Sequence, residues 1–311
     1  MAERTAFLFP GQGSQSVGMG RELAAHFPAA REVFEKADRI LGFPLSRICF
    51  EGPESDLKMT QNTQPAIFTH SVAVLSALGA RAGEDFDAAA GHSLGEYTAY
   101  VAAGSLRFED ALLLVRRRGE LMSRAGAEKP GTMAAVLGLD AGTLDAVLKG
   151  IPGIVVPANL NSPGQVVISG EVPAVAEAMD RCKQAGAKRV IPLEVSGAFH
   201  SPLMEGAARG LEEALAGVEI ATSRVPVYAN ASAAPVTEPG EIRRSLARQL
   251  LSPVRWEETV RAMLAAQCRR FVEIGPGRVL AGLVRSVDRG ATTLSIAGPE
   301  EIASLTQGGE S

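Results

Sequence analysis

The sequence of 311 residues has few of the residues that disulfide-stabilised and metal-binding proteins need. It contains three cysteines and four histidines. Cys49, Cys182 and Cys268 are odd in number and far apart, so they match neither a disulfide framework nor a zinc-ligand spacing. We therefore expect no metal site and no structural disulfide, and unpaired cysteines indicate a reducing compartment such as the cytoplasm.

An excess of positive charge and long hydrophobic runs are also missing. The chain has 31 Lys and Arg against 35 Asp and Glu, a net charge of -4, which gives no electrostatic support for nucleic-acid binding. The longest apolar stretch, residues 65–80, contains His70 and two serines and is too short for a membrane span. The apolar run at residues 5–9 is too short for a signal peptide. We expect no nucleic-acid partner and no membrane segment.

The sequence is rich in alternating strand and helix patterns. Hydrophobic residues make up 46% of the chain, which suits a soluble globular protein of one large or two ordinary domains. The predicted strands are residues 5–9, 86–90, 225–230 and 271–274. The predicted helices are residues 20–41, 65–78, 97–103, 108–124, 204–216, 242–251, 256–266 and 279–287. This alternation predicts an α/β fold with a parallel sheet covered by helices on both faces.

A different order of elements occupies the middle of the chain, after Pro130-Gly131. Strands are predicted at residues 132–138, 154–160, 165–169 and 188–193, and helices at residues 141–148 and 172–185. The order β-α-β-β-α-β is that of a ferredoxin-like unit. We therefore predict a small subdomain, residues 131–195, inserted into a large core formed by residues 1–130 and 196–311.

The motif Gly91-His92-Ser93-Leu94-Gly95 is the candidate centre of the chemistry. A strand-like run precedes it and a helix-like run follows it, which is the context of a nucleophile elbow. Glycines at both ends permit a sharp turn that leaves the Ser93 hydroxyl exposed at a helix start. The Leu94 amide then points to where an oxyanion would form. The alternative is a simple turn in which Ser93 caps the helix.

A glycine-rich loop, Pro10-Gly11-Gln12-Gly13-Ser14-Gln15, follows the first strand. Its spacing matches neither phosphate-binding pattern, and no lysine follows it. The functional interpretation is a loop that brings the backbone N–H of Gln12 close to a substrate carbonyl. The alternative is an ordinary turn.

Of the four histidines, only one is placed to act as a base for a remote serine. His26 is predicted in a surface helix, His70 in a buried helix, and His92 within the elbow itself. His200 lies in a loop far from Ser93 in sequence, so it is the best base if Ser93 is a nucleophile. The alternative is a local hydrogen bond at a helix start.

Three consecutive arginines, Arg116, Arg117 and Arg118, lie on the predicted helix at residues 108–124. Such a run is usually a solvated helix face. Adjacent helical residues point about 100° apart, however, so the three cannot share one environment. One of them should point inward.

Seven motifs occur in one order and together resemble the malonyl-CoA:acyl-carrier-protein transacylases. The resemblance covers about residues 5–285. The motifs are Pro10-Gly11-Gln12-Gly13-Ser14-Gln15, Gly91-His92-Ser93-Leu94-Gly95-Glu96, Arg118-Gly119, Asn161-Ser162-Pro163-Gly164-Gln165, Gly197-Ala198-Phe199-His200-Ser201-Pro202, Gln249-Leu250 and Glu273-Ile274-Gly275-Pro276-Gly277.

The resemblance implies a hydrolase-like parallel-sheet core with an inserted ferredoxin-like subdomain, in agreement with the order of elements above. It also implies a ping-pong acyl transfer through a malonyl-serine. Ser93 would be the nucleophile and His200 the base, with the backbone amides of Gln12 and Leu94 as the oxyanion hole. The donor would be malonyl-CoA, and the acceptor would be the phosphopantetheine thiol of acyl carrier protein.

The remaining site residues are also implied by the resemblance. Arg118 would hold the malonyl carboxylate, and Phe199 would crowd the α-carbon of the acyl group and favour malonyl over methylmalonyl. A backbone carbonyl at Gln249 would orient His200. Six carboxylates between Ser93 and His200 lie in the predicted insert, with Glu194 at its edge: Asp140, Asp145, Glu171, Glu177, Asp180 and Glu194. No bound cofactor is expected, and we expect a monomer.

Three other functions stay open from the sequence. A serine esterase or thioesterase uses the same elbow, although it does not need an arginine for a carboxylate. A discrete acyltransferase that serves a polyketide synthase shares the chemistry and the motifs. A non-catalytic binding module built on the insert would not need Ser93.

Overall fold

The strand β1 (Arg4–Phe9) lies inside a six-stranded sheet in the computed structural model, which describes residues 3–79 and 86–307. The strand order is β10-β9-β1-β2-β7-β8. All neighbouring pairs are parallel except β7 and β8. The other members of this sheet are β2 (Ala88–Gly91), β7 (Val227–Tyr228), β8 (Pro235–Val236), β9 (Cys268–Ile274) and β10 (Thr292–Ile296).

Fourteen α-helices lie in the described residues. Those before the second sheet are α1 (Arg21–His26), α2 (Pro28–Leu41), α3 (Leu45–Glu51), α4 (Glu54–Lys58), α5 (Thr60–Leu78), α6 (Gly95–Ala102) and α7 (Phe108–Glu128). The others are α8 (Ala141–Lys149), α9 (Val172–Gln184), α10 (Glu205–Ala216), α11 (Pro239–Gln249), α12 (Trp256–Ala265), α13 (Val279–Val287) and α14 (Pro299–Gln307). A short 3-10 helix (Pro202–Met204) precedes α10.

Alternation along β1 sends its side chains into two separate cores. Phe7 and Phe9 belong to the larger core, which contains buried residues of α5, α7 and α10. Ala6 and Leu8 belong to the other core, with residues of α12 and α13. Since side chains of a strand point alternately to opposite faces, a strand that is apolar at every position is buried on both. The parallel-rich α/β sheet predicted from the sequence is confirmed.

A second sheet is formed by β3 (Gly131–Leu137), β4 (Val155–Ser162), β5 (Gln165–Glu171) and β6 (Arg189–Pro192). Its order is β4-β5-β3-β6, and all neighbours are antiparallel. With α8 and α9 it encloses a third core. Backbone hydrogen bonds join it to the large part of the chain: the Leu160 amide donates to the Val254 carbonyl, and the Val254 amide to the Ala158 carbonyl, both at 2.8 Å.

Several element boundaries differ from those expected. The single helix expected at residues 20–41 is two helices, because Phe27 is extended and Pro28, which has no N–H, opens α2 at its first position. The strand expected at residues 225–230 covers only Val227–Tyr228. The helix expected at residues 242–251 begins earlier, at Pro239, and ends at Gln249.

The apolar stretch at residues 65–80 also differs from its predicted extent. Its helix begins at Thr60 and contains Pro65 in its interior, and Ala80 lies outside the described residues. No helix in residues 3–79 and 86–307 combines the length and the apolar character that crossing a membrane requires. The same residues contain no group of His, Cys, Asp or Glu arranged to hold a metal ion. All three cysteines are buried and unpaired.

The last turn of α7 packs against the segment that leads to His200, and Gly126 makes this contact possible. A Cβ on Gly126 would lie 2.0 Å from the Ser196 carbonyl oxygen. We expect Gly126→Ala to lower the free energy of unfolding by about 1–3 kcal/mol, because the inserted methyl forces the backbones apart.

Gly282 is the matched control, since it also lies in a helix but a Cβ there would have no neighbour within 4 Å among the described residues outside its own helix backbone. Gly282→Ala should raise the free energy of unfolding by about 0.5–1 kcal/mol through helix propensity. Urea denaturation of both variants measures the difference. Equal effects of the two substitutions would contradict the packing argument.

Candidate active site

Ser93 stands at the corner between β2 and α6. Its φ is 51°, a left-handed conformation that is uncommon for a residue with a side chain. A Cβ on Gly91 would lie 1.9 Å from the Gly95 carbonyl carbon, and one on Gly95 would lie 2.1 Å from the Phe9 carbonyl oxygen. Only glycine fits at both positions, so the motif spacing follows from the close approach of three backbone segments.

Asn230, two residues after β7, holds this corner from the neighbouring strand. Its Oδ1 accepts a hydrogen bond from the Ser93 amide at 2.7 Å, and its Nδ2 donates to the Gly91 carbonyl at 2.7 Å. Both bonds are made at the carboxyl ends of parallel strands, where ligand sites of such sheets occur. Asn230 therefore supports the strained backbone on either side of His92.

The structure brings Ser93 and His200 into hydrogen-bond contact. The Ser93 Oγ is 2.8 Å from His200 Nε2, and His200 Nδ1 is 3.0 Å from the carbonyl oxygens of both Gln249 and Ser252. Carbonyl oxygens can only accept, so Nδ1 carries the proton and Nε2 is free to accept the Ser93 proton. The arrangement is that of a nucleophile, its base and the group that orients the base.

His200 is kept neutral by its surroundings. Burial lowers the pKa of His200 to about 3, and the positive charge of Arg118 adds to this effect. The two carbonyl contacts act in the opposite direction. An imidazole with this pKa is deprotonated at neutral pH, which is the state that a general base needs.

Arg118 is the arginine of the three that points inward, and its side chain is 1% exposed. Its Nη2 donates to Ser93 Oγ at 2.9 Å and to Gln249 Oε1 at 2.8 Å, and its Nη1 donates to Gln64 Oε1 at 2.9 Å. Its Nε is buried and has no hydrogen-bond partner among the described residues. None of the ion pairs in the described part of the chain includes Arg118. Arg118 is therefore a buried cation directly beside the candidate nucleophile, and its Nε–H has no acceptor among the described residues.

The side chain of Gln249 joins these groups to Glu96. Its Nε2 donates to the Ser93 carbonyl at 2.9 Å and to Glu96 Oε2 at 2.7 Å, while its Oε1 accepts from Arg118. Glu96 is completely buried. Desolvation raises its pKa to about 7, although the hydrogen bonds from Gln249 and Asn230 and the charge of Arg118 favour the ionised form.

The amides of Gln12 and Leu94 lie on adjoining loops. A Cβ on Gly11 would lie 2.5 Å from the His92 carbonyl oxygen, so the loop after β1 runs directly against the elbow. Neither amide donates a hydrogen bond to another group in residues 3–79 and 86–307. Both donors are therefore available to a substrate oxygen.

Phe199 precedes His200 and is buried in the larger core. The sequence patterns do not indicate the supporting contacts of Asn230, Gln64, Ser252 and the Gln249 side chain. They place Glu96 in the first turn of α6 and indicate no other role for it. For Asn230 a signal existed, because it closely follows a strand of the parallel sheet. For the others no sequence pattern indicates which distant side chain they contact.

The neutral state of His200 predicts a specific pH dependence of stability. The folded-state pKa of about 3 is below the ordinary value of 6.5, so between pH 6.5 and about 3 the unfolded chain binds this proton and the folded chain does not. Acidification therefore destabilises the native state, and the effect is absent above pH 6.5.

The measurement compares the wild type with His200→Gln, which has no titrating ring. Between pH 6.5 and 4.5 the free energy of unfolding of the wild type should fall by about 2 kcal/mol more than that of the variant. Urea denaturation at several pH values gives both curves. Parallel curves would show that His200 keeps an ordinary pKa.

Comparison with known proteins gives a consistent result over the whole chain. Residues 6–301 match the model of the acyl transferase domain family. The chain is 49% identical over 302 residues to a malonyl CoA-acyl carrier protein transacylase of Bacillus subtilis, covering 96% of this chain and 95% of the relative. A transacylase of the same name from Salmonella typhimurium is 43% identical over 305 residues, covering 97% and 99%.

Solved structures agree. An acyl-carrier-protein S-malonyltransferase of Bartonella henselae is similar with a TM-score of 0.94 at 41% identity, covering 98% of both chains. A malonyl-transacylase in complex with the acyl carrier protein of a type II polyketide synthase is similar with a TM-score of 0.95 at 41% identity, covering 98% of this chain and 99% of that one. The chain belongs to the acyl transferase family.

Proposed function

We propose that this enzyme transfers malonyl groups from malonyl-CoA to the phosphopantetheine thiol of acyl carrier protein, through a malonyl-Ser93 intermediate, and so supplies fatty-acid synthesis. The observation that carries the proposal is the buried guanidinium of Arg118, 2.9 Å from the Ser93 hydroxyl. A cation at this position suits an acyl group that carries its own carboxylate. The names of the relatives point to the same substrate pair.

In the first half-reaction, Ser93 Oγ attacks the thioester carbonyl carbon while His200 Nε2 takes the hydroxyl proton. The amides of Gln12 and Leu94 stabilise the oxyanion, a contribution of roughly 10²–10³ in rate for each such donor. The C–S bond then breaks, and the proton on His200 passes to the departing CoA thiolate. The acyl group stays on Ser93 as an ester.

In the second half-reaction, the carrier-protein thiol replaces CoA. His200 Nε2 takes the thiol proton, and the sulfur attacks the ester carbonyl. When the C–O bond breaks, the proton returns to Ser93 Oγ. The two half-reactions use the same groups in reverse, so no bound cofactor and no metal are required.

Arg118 acts on the acyl carboxylate. Its Nε has a free N–H and shares one edge of the planar guanidinium with Nη2, so the two can bind a carboxylate bidentately once Nη2 gives up its hydrogen bond to the Ser93 hydroxyl. Lysine lacks this planar pair of donors. Phe199, beside the base, is proposed to crowd the α-carbon and to favour malonyl over methylmalonyl. Discrimination of one methyl group contributes only about 1–3 kcal/mol, so the preference should be incomplete.

A thioesterase is disfavoured by the way in which His200 is held. Two backbone carbonyls contact its Nδ1, where a hydrolase of this type has a carboxylate. A neutral carbonyl stabilises the imidazolium less than a carboxylate does, which suits an enzyme whose ester must survive until a thiol arrives.

A second candidate is a discrete acyltransferase that serves a polyketide synthase. The similar complex with a type II polyketide synthase carrier protein favours it, since that transacylase shares this fold at 41% identity. Both candidates have the same chemistry and differ in the carrier protein. Their relative rates with the two kinds of carrier protein would separate them.

We further propose that residues 131–195 form a ferredoxin-like subdomain inserted into a hydrolase-like core of residues 1–130 and 196–311. The strand order β4-β5-β3-β6, the antiparallel pairing and the two helices support this description. We also propose that the protein acts as a monomer, and that it works in the cytoplasm, for which its buried, unpaired cysteines are suited.

Intact-mass analysis after mixing with malonyl-CoA or acetyl-CoA tests the assignment of the site. The wild type should gain one malonyl group, and Ser93→Ala should gain none. Arg118→Ala should lose the preference for malonyl over acetyl, by roughly 100-fold in acylation rate, because a charge-assisted contact is removed.

Arg117→Ala is the matched control, since Arg117 is the adjacent arginine but is exposed. It should keep the preference of the wild type. A malonyl adduct on Ser93→Ala would contradict the central assignment, and an unchanged preference in Arg118→Ala would contradict the role of the arginine.

The fate of the malonyl-enzyme distinguishes a transferase from a thioesterase. With holo acyl carrier protein present, we expect the malonyl group to appear on the carrier protein faster than free malonate appears. Both products can be followed by mass spectrometry in one reaction. Release of malonate as the main product would support the thioesterase instead.

A further inference from the structure

Glu96 is a buried acid beside the site, and it takes no part in the proposed acyl-transfer steps. It lies in the first turn of α6 and is 0% exposed. Its Oε2 accepts from Gln249 Nε2 at 2.7 Å and from the Asn230 amide at 3.1 Å, and its Oε1 is 3.5 Å from Ser245 Oγ. An ionised acid needs such partners when it is buried, and no cation contacts Glu96 directly in residues 3–79 and 86–307.

One amide group separates Glu96 from Arg118. If the Gln249 amide were reversed, its oxygen would face the Ser93 carbonyl and the Glu96 carboxylate, which are both acceptors. The nitrogen therefore faces these two groups, and Oε1 faces Arg118 Nη2 at 2.8 Å. Glu96 determines which end of Gln249 is presented to the arginine, and its charge is opposite to that of Arg118.

The other titratable groups around Glu96 do not change charge near neutral pH. Burial raises the pKa of the Tyr97 and Tyr100 hydroxyls above their ordinary value, and burial lowers the pKa of His92 and His200. Arg118 faces the acid from α7; burial lowers its pKa, but a guanidinium stays protonated near neutral pH. The pKa of Glu96 itself is about 7.

We propose that Glu96 is a proton-linked counter-charge for the Arg118 site: its carboxylate faces the guanidinium through the Gln249 amide while the site is empty, and it takes up a proton when an acyl carboxylate binds to Arg118. The inference rests on the proposed function, since it assumes that the acyl carboxylate binds there. Glu96 is a positioning residue, because it acts through Gln249 and Arg118 and does not touch the reacting atoms.

The physical reason is that the buried guanidinium of Arg118 would then lie near two carboxylates, that of the acyl group and, across the Gln249 amide, that of Glu96. A bound acyl carboxylate neutralises the charge that favours ionised Glu96 and adds a like charge nearby, so the acid binds a proton from solvent. The net charge of the buried site then stays constant. An acetyl group brings no carboxylate and should cause no proton uptake. Malonyl binding should therefore weaken as the pH rises, while acetyl binding should not.

Binding calorimetry on Ser93→Ala tests this without acyl transfer. Malonyl-CoA and acetyl-CoA are titrated between pH 6 and 8.5, each in two buffers of different ionisation enthalpy, so that proton uptake is measured directly. The two ligands share the CoA moiety, and its own titration cancels in their difference. For a pKa rise of one unit, malonyl-CoA should show an excess uptake of about half a proton at pH 7.5 and a roughly sevenfold loss of affinity across the range.

The double variant Ser93→Ala, Glu96→Gln is the matched control. A glutamine oxygen can replace Oε2 as acceptor for Gln249 and Asn230, so the hydrogen bonds are kept and the titrating charge is removed. The excess uptake and the pH dependence should both vanish. If this double variant does not fold, the comparison of the two ligands on Ser93→Ala decides the question alone.

The possible failures are distinguishable. A preference for malonyl-CoA over acetyl-CoA without excess proton uptake would overturn this inference and leave the proposed function intact. Persistence of the uptake in the double variant would assign it to another group and would also overturn the inference. Equal binding of the two ligands at every pH would overturn the proposed function itself.

Discussion

The hydrogen bonds of Gln249 connect Ser93 and His200 to Arg118 and Glu96. Its backbone carbonyl accepts a hydrogen bond from His200 Nδ1, and its side-chain oxygen accepts one from Arg118. Its side-chain nitrogen donates to the Ser93 carbonyl and to Glu96. Gln249 is the last residue of α11, where helix carbonyls lack intrahelical partners and carry partial negative charge. A helix end can thus supply the acceptor that orients the histidine without placing a carboxylate there. The acid Glu96 contacts the side-chain amide of Gln249 instead of the histidine.

The sequence was sufficient to identify Ser93 and His200 as candidate site residues. Ser93 requires a sharp corner, and the corner requires glycine at positions 91 and 95, so the chemistry appears as a local pattern. His200 followed from the scarcity of histidines. Helix geometry predicted that one of the three consecutive arginines points inward, and only the resemblance to the transacylases identified it as Arg118. The contacts of Asn230 and of the Gln249 side chain could not be predicted, since each joins residues more than 100 positions apart.

The elements of the fold that the sequence predicts well are likewise those with a strong local hydrophobic pattern. Strands buried on both faces carry a continuous apolar run, such as Ala6–Phe9 in β1, which is easy to recognise. The strand at residues 225–230 was predicted too long, and the break between α1 and α2 was missed, because neither feature changes the hydrophobic pattern. The strand β10 lies at the edge of the sheet and is only partly buried, so its hydrophobic pattern is weaker than that of the central strands. The hydrophobic pattern of α14, which follows it, is also weak.

The pairing of the second sheet with Val254 has a mechanical consequence for the base. Val254 lies two residues after Ser252, whose carbonyl contacts His200, and it exchanges backbone hydrogen bonds with Ala158 and Leu160 of β4. A displacement of the small sheet would therefore pull on the short segment that holds the imidazole ring. The alignment of His200 with Ser93 depends on the two sheets keeping their spacing, so a ligand that wedges them apart would inhibit the enzyme without occupying the serine.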